Sequence, residues 1–571
     1  MYIDARYNNE EIHYWYRNKQ GDLISKVVPA CSYYYFYVPN ERGKYKTIYG
    51  KNVSPMYFTN FKKFKDRGED IEETYEADIA VEYKFLSDNF YKDTSGSLPN
   101  IALYDIEVDY NLENGLGFPV PDNPHGEVNS ISLYDITKKQ YHLIYLNPQR
   151  HHIHFEDEEE GNKIIFYECV TERQVLDTFI RVLDDIDILA AWNGAGFDLP
   201  YLIHRMCRVY GSREGMSAMC RGGFPVDMRE SVDKFGNEKT IFKLVGRSHV
   251  DLMDVYMKFA TEKKPSYKLD SICEEELGEK KLEYDGDLGE LYRTDPQKFF
   301  EYSFRDTYLL KKLEDKLKYM DTVVAMANQA TIKYNEVLGT VSFLEHSILN
   351  HCHFDRKDPL ILPDRDTKSE KEPFEGGFVI PTRPDVYGWT MSQDLTSLYP
   401  SVVRALNLSP ETFIMQLTGK FDDFIKVTKR SKETVLVKIN ATGEHFEIAA
   451  HEMNDLIKEE GLTISANGSI FTNEFRGILP EVLTIWFNKR ASIKKKMKET
   501  EDEELKSFYF REQNMLKLSM NSVFGVVGNA NSRFHDVNLA SSITLTGQEI
   551  NKFQGVAADK LIDGLTILDK I

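Results

Sequence analysis

The run "NIALYDIEVDY" at residues 100–110 limits the fold more than any other stretch of the chain. Ile101, Ala102, Leu103, Tyr104, Ile106 and Val108 make an apolar strand, interrupted only by Asp105 and Glu107. Side chains two apart on a strand share a face, so both carboxylates project the same way. From here to about residue 312 strands alternate with helical segments, which predicts a mixed sheet covered by helices. Two carboxylates on one face can share a pair of divalent cations, but a half-buried strand with polar outward positions carries the same pattern. The acids acquire chemical meaning only if other segments bring partners.

Two later segments do. "AAWNGAGFDLPYL" places Asp198 at the start of a helix-like run, after a glycine-containing turn. "EYSFRDTYLL" places Tyr302 and Asp306 at i and i+4, on one helical face. Asp105, Glu107, Asp198 and Asp306 then fit two-metal phosphodiester hydrolysis, with the carboxylates holding the metals and Tyr302 holding the attacking water in line. Asp109 faces the same way as Glu107 but has no partner motif, and is read as surface.

A second acidic position raises the opposite problem. In "TMSQDLTSLYPSVV" Asp394 closes a strand-like run, where a carboxylate suits a divalent metal. Metal-assisted phosphoryl chemistry needs at least two such ligands, and no partner stands nearby in sequence. A polar, Pro- and charge-rich segment at residues 355–377 precedes it and reads as a linker, after a helical stretch from about residue 313 to 353.

Composition bounds the rest. At 571 residues the chain should hold several domains, and 42% hydrophobic with 12% aromatic content is ample for burial. The first residues have no basic region followed by an apolar run, and no segment is long and uncharged enough to span a bilayer, which predicts an intracellular protein without membrane partners. Six cysteines with no Cys-x-x-Cys pair read as reduced core thiols. "HCH" at residues 351–353 is set aside as a metal site, because adjacent helical residues point in different directions. A net charge of −20 looks wrong for a nucleic-acid protein, but the acid is concentrated in "FEDEEEG" and "KETEDEEL", both read as solvated turns. "NKRASIKKKMK" instead packs six cations into one helical stretch, a candidate phosphate site.

The order D-x-E, N-x(4)-F-D, Y-x(3)-D resembles the DEDDy proofreading 3′–5′ exonuclease of family B DNA polymerases, most closely those of T-even-like phages. Between its motifs, "VDMRESVDKFGNEKTIFKLV" gives two strand-like runs around Gly236 and Asn237, resembling the hairpin that helps separate the primer end in those enzymes. "KKLEYDG" resembles the same subfamily and places Lys281 near the exonuclease site. "DLTSLYPSVV" resembles the first palm motif, which implies that Asp394 binds both catalytic metals, with the Leu395 carbonyl on one of them. Ser397, Leu398 and Tyr399 would cradle the incoming triphosphate, Tyr399 as a steric gate against a ribose 2′-hydroxyl. Arg490 and Lys494 share one helical face, Lys517 and Asn521 another, and the acidic turn between lets the helices run antiparallel as a "fingers" hairpin. Their cations suit the developing charge of a triphosphate. Phe524 stands where the family has tyrosine, so a hydroxyl is lost while the steric check remains.

The resemblance implies an α/β and α+β multidomain fold: an N-terminal domain at 1–100 completed by about 313–365, an RNase H-like exonuclease at 101–312, a first part of the palm at 366–475, fingers at 476–526, and an incomplete palm continuation at 527–571 without a thumb. The family's second palm carboxylate, in a Y-G-D-T-D-S motif, does not occur in these residues; Asp559, Asp563 and Asp569 have no D-x-D strand context. A naturally split polymerase and a truncated chain both account for this, and the split is the expectation. The implied cofactors are Mg²⁺ or Mn²⁺, two ions per active site. The implied partners are primer–template and single-stranded DNA, deoxynucleoside triphosphates, a C-terminal polymerase polypeptide and a sliding clamp, in the cytoplasm of an infected bacterial host. A free-standing exonuclease whose palm and fingers only grip DNA, and a non-catalytic scaffold, are the rival readings.

Overall fold

The computed structural model describes all residues except 94, 111–116, 233–235, 237, 261, 285, 367–372, 379–383, 387–393, 420 and 569–571. The chain forms two compact units, one of Met1–Tyr34, Tyr57–Lys65 and Ile79–Gly339, the other of Tyr35–Met56, Asp66–Asp78 and Thr340–Ile571.

The first unit is organised by a seven-stranded mixed sheet, as the alternation of strands and helices predicts. Its strands are β1 (Ile101–Val108), β2 (Val128–Asp135), β3 (Gln140–Leu146), β4 (Glu158–Glu159), β5 (Asn162–Cys169), β6 (Ile188–Ala191) and β7 (Ser248–Asp251), in the spatial order β4-β5-β3-β2-β1-β6-β7. β1 is antiparallel to β2 and parallel to β6, and β6 is parallel to β7. The even-numbered residues Ala102, Tyr104, Ile106 and Val108 join a core with the helices Glu172–Leu183 and α1 (Asp198–Tyr210). The opposite face, which carries Asp105 and Glu107, receives the long helix α3 (Pro296–Leu317): Ser303 hydrogen-bonds Ser130 at 2.8 Å and Thr307 donates to the Ser132 carbonyl at 3.2 Å. Between them in sequence, α2 (Leu252–Phe259) follows directly on β7.

A three-stranded antiparallel sheet, Tyr2–Asn8, Glu11–Arg17 and Leu23–Pro29, belongs to the same unit. Arg17 Nε and Arg221 Nη1 both donate to the fully buried Asp187 carboxylate, at 2.6 and 2.8 Å, tying the two sheets together through charge-assisted bonds. The strand-like runs expected around Gly236 form an antiparallel hairpin, Asp227–Val232 with Glu238–Lys243; Gly236 takes φ +88°, and Asn237 lies outside the described residues.

In the second unit a five-stranded antiparallel sheet runs in the order His445–Ala449, Thr434–Ile439, Phe413–Leu417, Ser469–Phe471, Thr463–Ile464. Four helices carry or adjoin the expected site residues: α4 (Leu398–Leu406), α5 (Ile478–Glu499), α6 (Glu503–Val527) and α7 (Val537–Leu568).

Several expectations need correction. The segment read as a linker is partly built into the fold: Leu360–Ile361 pairs with Tyr45–Thr47, and Asp364 accepts from the Thr74 hydroxyl and the Ala77 N–H at 2.5 and 2.7 Å. Its charges signalled solvent, but Asp364 and Arg365 find partners within the fold. The helical stretch from 313 to 353 is broken, at Lys318 and Thr331 in left-handed conformation and again before Thr340–Asn350. Within the first acidic run Glu160 is not merely solvated, since it accepts from the Tyr308 hydroxyl and pairs with Lys311 and Lys312. All six cysteines are free, but Cys31 is exposed rather than in the core. The "HCH" reading needs no correction: His351 meets Asp355 and Glu481, whereas His353 meets Glu76, so the two rings do not converge.

Candidate active site and nucleotide-binding face

The sheet brings three of the four expected acids directly together. Carboxylate oxygens of Asp105, Glu107 and Asp306 lie within 4.8 Å of one another. Asp105 and Glu107 are half-buried on one face of β1, and Asp306 is buried on α3, one turn beyond Tyr302.

Asp198 arrives from the edge of the same strand. β6 pairs with β1 only as far as Leu103, and beyond that point the chain turns into α1. The Ile106 N–H, past the last rung, donates instead to Asp198 Oδ1 at 3.2 Å. Asp198 is the first residue of α1, where its charge also meets the helix N-terminus.

Electrostatics show that this cluster lacks positive charge. Burial, then Asp306, Asp198 and Glu107 in turn, push the Asp105 carboxyl far above the usual range. Burial and Asp306 raise Glu107 to about 8, and burial raises Asp198 to about 7 against the pull of its backbone donors. Lys281 Nζ is the cation at hand, 2.5 Å from Asp306 Oδ2 and 3.3 Å from the Tyr302 hydroxyl. Burial opposes its charge, but Asp306 and Asp105 outweigh that and hold its pKa above the ordinary lysine range. Asp306 Oδ1 remains buried without a partner among the described residues. Among the described residues, four acids meet one lysine in direct contact, with Arg305 farther off, and an unpartnered buried oxygen remains; this fits a site for divalent cations held by Asp105, Glu107, Asp198 and Asp306.

The shifts give a sign for pH dependence. A carboxylate whose folded-state pKa is raised stabilises the fold fully below its unfolded value of about 4.3, and that contribution is lost as pH rises through the folded value. Metal-free protein is therefore expected to lose melting temperature between about pH 4.5 and 8, and Mg²⁺ to raise it more at pH 8 than at pH 5.5. Thermal melts across pH in chelator and in Mg²⁺ check this; an Mg²⁺ effect equal at both pH values refutes it. Glu314, buried and raised to about 8 away from the cluster, adds a decline that Mg²⁺ does not reverse.

Sequence reasoning passed over Asp251 and Tyr284. Tyr284 packs edge-on to Tyr302 at 5.2 Å. Asp251, in "SHVDLMDVY", caps α2 by accepting the Met253 N–H at 2.9 Å, and an acid just ahead of an apolar helical run was the legible signal. Asp109, read as surface, pairs with Arg293 at 2.7 Å.

In the second unit the motif residues surround the start of α4. Asp394 is exposed, with no hydrogen bond or ion pair among the described residues; the strand expected just before it lies outside them. Leu395 and Ser397 follow, Ser397 in left-handed conformation at φ +56° as the residue before Leu398. The Tyr399 ring lies 5.0 Å from that of Phe524 on α6. A Cβ at Gly547 of α7 would sit 2.8 Å from Tyr399 Cε1, so only glycine leaves room for the ring.

α5 and α6 pack against each other across the turn 500–502. Arg490 Nε donates to Gln513 Oε1 at 3.2 Å. Arg490 first, then burial, Lys498 and Lys517, push the Lys494 ammonium below its ordinary pKa, which places these cations together. Among the described residues no carboxylate pairs with Arg490, Lys494 or Lys517. Asn521 is exposed one turn beyond Lys517 on α6.

The first unit thus sets a cluster of acids on a mixed sheet, and the second gathers cations without carboxylate partners, among the described residues, on a helical pair. The family model "DNA polymerase family B, exonuclease domain" matches residues 47–272, and "DNA polymerase family B" matches 343–562. The chain belongs to DNA polymerase family B. It is 27% identical over 612 residues to the DNA-directed DNA polymerase of Escherichia phage RB69, covering 96% of this chain and 65% of that one. Against the DNA-directed DNA polymerase of Enterobacteria phage T4 it is 26% identical over 590 residues, 89% of this chain and 61% of the relative. The chain thus spans about 61–65% of the length of these curated relatives. Asp105, Glu107 and Asp198 fall inside the exonuclease match, whereas Lys281, Tyr302 and Asp306 lie between the two matches. No helix among the described residues is long and apolar enough to cross a membrane.

Proposed function

We propose that these residues are the N-terminal portion of a replicative DNA-directed DNA polymerase of phage type, carrying a 3′–5′ proofreading exonuclease, the first palm carboxylate and the fingers. The observation that carries the reading is the Asp105, Glu107, Asp306 cluster with Lys281 against it. Divalent cations, Mg²⁺ or Mn²⁺, supply the activated water and the charge neutralisation that phosphodiester cleavage needs. The protein's own groups do the rest. Asp105, Glu107, Asp198 and Asp306 bind, Lys281 fixes Asp306, and the Tyr302 hydroxyl, kept protonated by burial and by Asp306, orients water at the primer end. Boundaries at about residues 100, 312, 365, 475 and 526 divide the N-terminal, exonuclease, palm and fingers functions.

For synthesis, Asp394 and the Leu395 carbonyl hold metal, Ser397 and Leu398 cradle the triphosphate, and Arg490, Lys494, Lys517 and Asn521 meet its phosphates. Unpaired, converging cations support this, since an anion relieves their repulsion. One carboxylate does not hold two cations, so a second acidic strand and a thumb come from beyond these 571 residues, as a C-terminal polypeptide in the split arrangement. A sliding clamp and the cytoplasm of an infected bacterium complete the setting.

The reading is tested by incubating the chain with end-labelled single-stranded DNA: stepwise shortening from the 3′ end with Mg²⁺, absent in chelator, is expected, and intact DNA refutes it. In an enzyme competent for synthesis, Tyr399→Ala should lower discrimination against ribonucleotides by at least about tenfold, because bulk at the sugar is removed. Lys517→Ala or Arg490→Ala should instead depress incorporation on the order of 10²-fold with discrimination kept. Single-nucleotide incorporation kinetics separate the two effects; unchanged discrimination in Tyr399→Ala removes the gate.

A further inference from the structure

We infer that Asp251 is a positioning residue for the acid cluster, acting on Asp198 through the turn that precedes it; the inference rests on the exonuclease reading and adds a residue to that site. The turn from Trp192 to Phe197 carries the chain from the end of β6 to the start of α1, and it is not self-sufficient. Asn193 adopts φ +60°, a left-handed conformation that only Gly, Asn and Asp enter readily. Its carbonyl accepts the N–H groups of Gly196 and Phe197 at 2.9 and 3.2 Å. The N–H groups of Asn193 and Ala195 point elsewhere, and both are taken by Asp251: Asn193 by Oδ1 at 3.1 Å and Ala195 by Oδ2 at 3.0 Å.

Asp251 is itself locked. It is the last residue of β7, in register with Ala191, the last residue of β6. Its Oδ1 also caps α2 through the N–H groups of Met253 and Asp254, at 2.9 and 3.4 Å. Two residues earlier on the same face, His249 closes the space beneath the turn: a Cβ on Gly194 would lie 2.9 Å from His249 Nε2 and 2.5 Å from the Ala191 Cβ. The carboxylate thus clamps the turn to the sheet from one side while His249 and Ala191 forbid it to settle lower. The residue released from that clamp is Asp198, whose Oδ1 meets the Ile106 N–H between Asp105 and Glu107 on β1. A helix cap alone would need one carboxylate oxygen; here both are used, and Oδ2 serves only the turn.

The test uses Asp251→Asn, which keeps shape but turns one acceptor into a donor facing a backbone N–H. In metal-free protein, deuterium exchange should accelerate in peptides covering 193–198. Mn²⁺ affinity, measured as free Mn²⁺ by electron paramagnetic resonance, should fall about 10–100-fold, the range for groups that orient metal ligands. Single-stranded DNA binding in chelator should not change, and saturating Mn²⁺ should restore part of the cleavage rate. Thr171→Ala, which removes the cap of the Glu172–Leu183 helix, controls for general destabilisation. Wild-type exchange and Mn²⁺ affinity in Asp251→Asn, or equal Mn²⁺ loss in Thr171→Ala, overturn the inference. If Asp251→Asn does not fold, Gly194→Ala displaces the same turn from below, with weakened Mn²⁺ binding expected and wild-type affinity refuting. An inert wild-type chain on DNA would defeat the exonuclease reading instead, leaving the exchange measurement to report on Asp251 by itself.

Discussion

Asp105→Ala/Glu107→Ala should abolish 3′–5′ digestion of single-stranded DNA, a loss well beyond the ~10–100-fold expected when only a group supporting a metal ligand is altered. The two side chains leave one face of β1 together, and with them go two of the three oxygens that lie within 4.8 Å of one another. Asp198 and Asp306 would remain, but Asp306 is already paired with Lys281, which leaves little pull on a divalent cation. The fold should survive, because deleting the two acids removes buried charges whose cost, set by burial first and then by Asp306, raises Glu107 to about 8 in the metal-free state. Metal-free melting temperature is therefore expected to rise at pH 8 even as activity disappears. Tyr302→Phe keeps the ring against Tyr284 and loses only the hydroxyl, so it should slow digestion without stopping it. Rates with a labelled oligonucleotide, beside thermal melts, decide the matter: undiminished digestion by the double variant would remove the assignment of all four acids.

Primer extension should behave in the opposite way. In an exonuclease-dead background the 571 residues alone should not extend a primed template, whereas addition of a polypeptide bearing a D-T-D strand and a thumb should restore synthesis. Two divalent cations near one carboxylate repel each other and need further negative ligands, so Asp394 by itself binds metal weakly. Asp394→Ala in the mixture should abolish extension again, since under the proposed function it is the ligand that both metals share. Association is expected to bury more than ~2,000 Å² in total, the range of permanent complexes. Extension by the 571 residues alone, or by the Asp394→Ala mixture, would show the catalytic carboxylates to lie elsewhere.

The acid cluster was legible because its signals are local. Asp105 and Glu107 share a face by the period of a strand, and Tyr302 and Asp306 share one by the period of a helix. The cation pair Arg490 and Lys494 was readable for the same reason. Lys281 could be placed only by family resemblance, because its partner Asp306 is 25 residues away and no local period connects them. The broken linker assignment has the same origin: charge and proline density in residues 355–377 describe a segment's solubility, not whether Asp364 finds Thr74 and Ala77 some 290 residues earlier.

By itself, the sequence determined which residue types stand at which repeat positions, and hence the strand, the two helical faces and the order of motifs that mark DNA polymerase family B. Only the tertiary structure decided that β6 stops pairing at Leu103, leaving the Ile106 N–H for Asp198, and that Asp251 spends both oxygens on holding the turn between them. The reason is physical: side-chain periodicity is a property of a few consecutive residues, whereas a buried carboxylate's value depends on which backbone donors and like charges the fold brings within a few ångströms of it.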